Sequence, residues 1–155
     1  MVIPNAKQRG ILVVEDNLGP RESLRILLKA REYANLHFAT NGKDALDRLE
    51  TLAPAIYLVL LDMRMPVMDG MTFLKRIAEL NHEHPIGVVA ATGFPSPAGM
   101  RAFFAMETDY IRPLGYLAKP YDILELLDVV ECSLETVHCL RKGMEKGTMR
   151  MSDER

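Results

Sequence analysis

No apolar run in the 155 residues approaches the roughly 18 that a membrane span needs, so a transmembrane helix is not expected. The chain also lacks an excess of charge of one sign. Its 19 Lys and Arg stand against 21 Asp and Glu, a net charge of −2. That balance gives no overall pull towards nucleic acid or an anionic membrane surface. Cysteine is scarce. Cys132 and Cys139 lie seven positions apart in a segment with helical periodicity. Seven helical residues rise about 10.5 Å, too far for an intrachain disulfide. Reduced thiols and a cytoplasmic setting are therefore expected. Met1 to Gly10 is polar, contains Pro4 and Asn5, and lacks the pattern of a secretory signal. There is no internal repeat and no low-complexity tract. After the segments described next, no stretch is long enough for a helix-turn-helix.

What is present is an ordinary globular composition, 48% hydrophobic and 26% charged. A chain of this length buries roughly 68–70% of its unfolded surface, enough for one unstapled domain. Short apolar runs alternate with amphipathic ones. Ile11-Leu12-Val13-Val14 reads as a strand buried on both faces and ends in Glu15-Asp16-Asn17. Pro20 suits a first helical turn, followed by Leu24, Leu27 and Leu28. Leu36 to Ala39 is a weaker strand, and Ala45, Leu46 and Leu49 mark a second helix. Ile56 to Leu61 is the strongest strand and runs into Asp62. A Met-Pro and Asp-Gly loop leads to a helix over about Met71 to Leu80. Ile86 to Ala91 is a fourth strand ending at Thr92. A helix over Pro97 to Ile111 is expected next, with Ser96 as N-cap and Pro113 forcing its end by Arg112. Leu114 to Ala118 is a short fifth strand, closed by Lys119-Pro120. A last helix starts near Tyr121 or Asp122 and runs past Leu134.

Alternating strands and helices predict an α/β fold, a doubly wound five-stranded parallel sheet covered on both faces. In such open sheets ligands bind beyond the carboxyl ends of the strands. Glu15, Asp16, Asp62, Thr92 and Lys119 each fall at such an end. Three carboxylates brought together repel and raise at least one pKa. A hard divalent cation with oxygen ligands, Mg²⁺, resolves the repulsion. No Cys or His flanks the cluster, which disfavours zinc or copper. A carboxylate nucleophile, metal, ammonium and hydroxyl suit phosphoryl transfer. Taken singly each residue is ordinary. Glu15-Asp16 alone would be a turn before a helix, Thr92 a strand-end hydroxyl and Lys119 a solvated lysine. Their shared position raises them together.

The runs ILVVEDN, LVLLDMRMPVMDG, VVAATG and YLAKP resemble, in order, the signature blocks of response-regulator receiver domains. The resemblance covers about Arg9 to Leu134. It implies a flavodoxin-like (βα)₅ fold with strand order 2-1-3-4-5. It implies that Asp62 is phosphorylated, that Asp16 binds Mg²⁺ directly and Glu15 mainly through water. Asp62 and the backbone carbonyl of Arg64 would complete the protein ligands. Thr92 would hydrogen-bond the phosphoryl group and Lys119 would pair with it. Tyr116 would be the aromatic that turns inward when Thr92 moves. The Lys119–Pro120 bond would be cis. The implied partners are a sensor histidine kinase or phosphotransfer protein upstream and a downstream target or an attached output domain. The signal would leave through the fourth helix, fifth strand and fifth helix. Self-phosphorylation from a phosphodonor and slow autodephosphorylation are implied, without metabolic catalysis.

Two other classes compete. Haloacid-dehalogenase-type phosphohydrolases also use an aspartate nucleophile after a parallel strand, but carry a second Asp two positions later, where this chain has Arg64. A phosphorylation-independent interaction module would not need the intact acidic cluster. Departures from the receiver pattern lie in the fourth β–α unit, where Met100, Phe103, Phe104, Met106, Tyr110 and Ile111 give more apolar surface than one core stripe needs. Leu127, Val130, Leu134 and Val137 are spaced like a coiled-coil seam, broken by Arg141. Together they suggest a homodimer through that face. The Met cluster around Met63 is expected to fill gaps in the core, His82 and His84 to sit in a solvated loop, and His138 to be at the surface. Residues 1–8 are expected as an N-terminal extension, 9–135 as the domain, and 136–155 as a helix extension with a flexible tail or linker.

Overall fold

The computed structural model describes residues 5–80 and 83–153. A 3-10 turn, Ala6–Gln8, precedes five β–α units. These are β1 (Gly10–Val14), α1 (Leu18–Ala30), β2 (Leu36–Ala39), α2 (Gly42–Leu52), β3 (Ile56–Asp62), α3 (Gly70–Ala78), β4 (Ile86–Thr92), α4 (Pro97–Phe104), β5 (Ile111–Ala118) and α5 (Ile123–Asp153). The strands pair in parallel in the order β2-β1-β3-β4-β5, the flavodoxin-like arrangement. The continuous apolar runs form the middle of the sheet because both their faces are covered. Alternate residues divide between two cores. Leu12, Val14, Val59 and Leu61 pack with Phe73, Leu74, Ile77 and Phe103. Ile11, Val13, Leu58 and Leu60 pack on the other face with Leu24, Leu28, Leu126, Leu127, Val130 and Leu134.

The starts of α2, α3, α4 and α5 are set by short polar side chains that accept free backbone N–H groups. Asn41 accepts from Asp44, Asp69 from Thr72, and Ser96 from Gly99. Asp122 accepts from Leu124 and Glu125 at 2.8 and 3.1 Å, so it caps α5. Both cysteines are free and exposed on α5. No helix among the described residues is long and apolar enough to cross a membrane.

The expected helix over Pro97 to Ile111 is corrected. α4 ends at Phe104, and Ile111, Arg112 and Pro113 belong to β5. Thr108 makes the turn between them: its Oγ1 accepts from the N–H groups of Tyr110 and Ile111. Pro113 is tolerated because β5 is an edge strand with an irregularity at that point. Val88 pairs with Pro113 but Val89 pairs with Gly115, leaving Leu114 out of the ladder. The apolar surplus shrinks accordingly. Phe103 and Ile111 are fully buried, Met106 and Tyr110 pack on the core, and Met100 and Phe104 stay exposed.

The seam of α5 is corrected as well. Leu127, Val130, Leu134 and Val137 are buried against the chain's own sheet, so they are not available to a second copy. Arg141 does not end the pattern but continues it inward. It is buried and donates to the carbonyls of Pro85, Pro54 and Ile56 at 2.9, 2.7 and 2.6 Å. His138, expected at the surface, is buried one turn before it. The stretch expected as tail continues the helix to Asp153. Met63 packs on the core as expected. His84 is half-buried and His82 lies outside the described residues.

Candidate functional site

The carboxyl ends of β1, β3, β4 and β5 bring five side chains to one edge. Glu15 and Asp16 follow β1, Asp62 ends β3, Thr92 ends β4 and Lys119 follows β5. Gly70 lets the start of α3 press on this edge: its N–H donates to the Met63 carbonyl at 3.2 Å, and a Cβ there would lie 2.8 Å from Met63 Sδ. Glu15, Asp62 and Thr92 are buried, whereas Asp16 and Lys119 are half-buried. The Lys119 ammonium lies 2.8 Å from Glu15 Oε2 and 3.4 Å from Asp62 Oδ2. Glu15 Oε1 also accepts the N–H of Asn17 at 3.2 Å. Asp62 Oδ1 accepts the N–H of Arg64 at 3.2 Å. Thr92 Oγ1 accepts the N–H of Phe94 at 3.1 Å, and the Thr92 carbonyl accepts the N–H of Lys119 at 2.7 Å. The Lys119–Pro120 bond is cis, as the resemblance implied.

The electrostatics follow from crowding. Burial pushes the Asp62 carboxyl up to about 6, and the Glu15 charge adds to that, against the pull of the Arg64 N–H and Lys119. Burial lowers the Lys119 pKa, but the hydrogen bond and charge of Glu15 and the charge of Asp62 outweigh it and raise it. Glu15, Asp16 and Asp62 each offer a carboxylate oxygen, all within 4.8 Å of one another. Asp16 Oδ1 is buried and has no hydrogen-bond partner among the described residues. A buried, unpaired carboxylate oxygen beside two more carboxylates is costly without a cation. The all-oxygen donor set fits a hard ion such as Mg²⁺.

All five residues expected at the strand ends converge. Tyr116 stands apart on β5, half-buried, its ring 5.9 Å from that of Phe103. A Cβ on Gly99 would lie 2.9 Å from its hydroxyl, so α4 passes close over it because residue 99 has no side chain. The sequence did not single out Arg21, whose guanidinium donates to the carbonyls of Glu15 and Asp16 at 2.9 and 3.3 Å and holds the β1–α1 loop. Nor did it pair Arg64 with Phe94, although the guanidinium stacks 3.9 Å from the ring centroid. An arginine four residues into a helix and a lone loop phenylalanine carry no distinguishing pattern.

Comparison with known proteins agrees with this geometry. The family model described as response regulator receiver domain matches residues 11–131. Sporulation initiation phosphotransferase F of Bacillus subtilis is 33% identical over 78% of this chain and 90% of its own length. Chemotaxis protein CheY of Treponema pallidum is 24% identical over 85% of this chain and 87% of its own. The signal receiver domain of an HD domain-containing protein from Pseudomonas fluorescens Pf-5 superposes with a TM-score of 0.72 at 29% identity, covering 85% of this chain and 98% of that one. The chain with its strand-end carboxylates, threonine and lysine belongs to the response regulator receiver domain family.

Proposed function

We propose that Asp62 accepts a phosphoryl group from a phosphohistidine on a sensor histidine kinase or phosphotransfer protein. The observation that carries this reading is the placement of the buried Asp62 carboxylate 3.4 Å from the Lys119 ammonium, beside two further carboxylates. One Asp62 oxygen attacks phosphorus; the phosphorus–nitrogen bond of the donor breaks and its electron pair stays on the imidazole. Lys119 pairs with a phosphoryl oxygen, and the Thr92 hydroxyl donates to another. Asp16, Asp62 and the Arg64 carbonyl would hold Mg²⁺, with Glu15 acting through water. The ion would offset carboxylate and phosphoryl charge during transfer. One solved relative of the same fold, from Borrelia burgdorferi, is described as a complex of CheX with CheY, BeF₃ and Mg²⁺.

The signal then leaves through Thr92, Tyr116 and the face made by α4, β5 and α5, towards a downstream protein or an attached output domain. A homodimer through this face would draw apolar contact chiefly from the exposed Met100 and Phe104, since Phe103 and Ile111 are buried and Met106 and Tyr110 half-buried. The domain is taken as residues 9–135, with residues 1–8 and 136–155 as extensions, in the cytoplasm. No observation favours the hydrolase reading, since residue 64 is an arginine.

Intact mass after incubation with Mg²⁺ and a small-molecule phosphodonor tests the proposal. The wild type gains one phosphoryl group and Asp62→Asn gains none. A gain that persists in Asp62→Asn overturns the assignment.

A further inference from the structure

α5 turns a polar stripe away from the sheet. Asp128, Cys132, Glu135, Cys139, Lys142 and Lys146 recur at alternating four- and three-residue steps, so they line one face of the helix. All six are exposed. The residues that hold α5 to the sheet, Leu127, Val130, Leu134, Val137 and Arg141, lie on the opposite face. Charge divides along the stripe. Asp128, Glu131 and Glu135 precede Cys139, and Lys142 and Lys146 follow it. Glu145 falls one heptad after the buried His138 and so lies off the stripe. Among the described residues only Glu135 of these five charges has an ion-pair partner, Arg9 at 3.1 Å. Gly143 stands one turn after Cys139, inside a helix, where glycine is the least favoured residue after proline. A Cβ there would meet nothing within 4 Å, so the chain's own domain does not require the glycine. Close approach of a second backbone is what such a residue admits. Beyond Arg141 the helix leaves the sheet, and residues 142–146 are all exposed. A helical stretch without a packed face is marginal in water.

We propose that two copies of this chain pair through α5, antiparallel, about a two-fold axis at Cys139. In that arrangement the acidic half of each helix lies along the basic half of the other. Glu135 meets Lys142 of the second copy and Glu131 meets its Lys146, each contact formed twice by the symmetry. A parallel pair would instead set Glu135 on Glu135 and Lys142 on Lys142, and repel. The small side chain of Cys139 and the bare backbone of Gly143 let the two helices close in. The stretch beyond Arg141, which its own sheet does not cover, then rests on the first half of the other copy's α5. The pairing uses neither Met100 nor Phe104 of α4 and needs no phosphoryl group, so it stands apart from the reading of Asp62.

The two cysteines give opposite readouts. At the axis the two Cys139 side chains face each other. The two Cys132 lie two seven-residue steps apart along the pair, about 21 Å, beyond disulfide reach. Brief treatment of the full-length chain with diamide joins facing thiols. Each sulfur gives up a proton and an electron, one S–S bond forms, and diamide takes up both protons and both electrons to become the hydrazine. Cys132→Ser should cross-link at the wild-type rate, and Cys139→Ser about tenfold more slowly. Cross-linking through Cys132 as fast as through Cys139 overturns the antiparallel pairing. Sedimentation of the reduced chain tests the charges apart from the thiols. Lys146→Glu should weaken association by about tenfold, since it turns two attractive contacts into repulsive ones. Glu131→Lys in the same chain should restore it. A swap that fails to rescue, or a reduced wild type that stays monomeric at millimolar concentration, overturns the proposal.

Discussion

Lys119 Nζ lies 2.8 Å from Glu15 Oε2, so the last strand end is tied to the first across the face of the site. The same ammonium is 3.4 Å from Asp62 Oδ2. One cation thus serves two of three clustered carboxylates, and the third, Asp16, keeps a buried oxygen without a partner. This division of labour separates the two acidic residues after β1, although they are neighbours in sequence. Glu15 is engaged by Lys119 and by the Asn17 N–H. Asp16, with its unpaired oxygen, is the one the proposed Mg²⁺ would engage directly.

Asp16→Asn should therefore weaken Mg²⁺ binding by about tenfold more than Glu15→Gln, as a direct ligand outweighs one that acts through water or a second group. Isothermal titration of the unphosphorylated chain with Mg²⁺ measures both. Equal losses would show that the two carboxylates hold the ion alike.

Lys119→Ala removes the ammonium that competes with a cation for Glu15 and Asp62. Mg²⁺ affinity should rise by a few-fold, since a like charge within about 4 Å is lost from a partly solvated site. Phosphorylation, in turn, should no longer be felt at Tyr116. NMR shifts around Tyr116 on adding a phosphodonor read this out. Wild-type shifts in the variant would mean that Lys119 does not transmit the signal.

The raised pKa of Asp62 gives a pH dependence. Its carboxyl titrates near 6 in the folded, metal-free protein and near 3.8 when unfolded. Between these values the folded state binds more protons, so stability falls as pH rises through the window. The favourable contribution is full below about pH 3.8 and gone above about pH 6. Asp62→Asn should therefore be more stable than the wild type at pH 7, with a smaller gap at pH 4.5. Thermal unfolding in EDTA at both pH values checks it; a gap that grows on acidification contradicts the assignment.

The convergence of Glu15, Asp16, Asp62, Thr92 and Lys119 was legible in the sequence because each ends or follows an apolar run. A run buried on both faces can only be an inner strand, and the fold sends all such ends to one edge. The boundary between α4 and β5 was not legible. Pro113 reads as a helix stop, but its missing N–H is equally harmless on an edge strand beside an irregularity. The spacing of Leu127, Val130, Leu134 and Val137 gives the period of a buried stripe and not the identity of what buries it. The sheet of the same chain does so here. Arg141 and His138 were misplaced for a related reason: polar residues are counted as surface unless their partners are known, and the partners of Arg141 are backbone carbonyls.

Arg141 leads to the last prediction. Its guanidinium reaches three carbonyls, those of Pro54, Ile56 and Pro85, at the amino ends of β3 and β4, and stacks 3.9 Å from the Tyr57 ring. This is the edge of the sheet opposite Asp62. A buried hydrogen bond to a charged donor contributes about 1.5–3 kcal/mol, but carbonyls freed near the surface regain some of that from water. Arg141→Met keeps much of the stem's packing and should cost about 2–4 kcal/mol. For a domain of this size that is a fall of roughly 5–15 °C in Tm. Arg141→Lys should recover little, because an ammonium cannot span three acceptors fixed around a planar fork. A chain cut after residue 135 loses the same anchor and should be at least as unstable, so the folding unit includes the first turns of the α5 extension. The rate of phosphorylation at a temperature where all variants are folded should stay at the wild-type level. Calorimetry of the three variants beside that rate decides it. An unchanged Tm in Arg141→Met would show that the extension rests on the sheet without holding it.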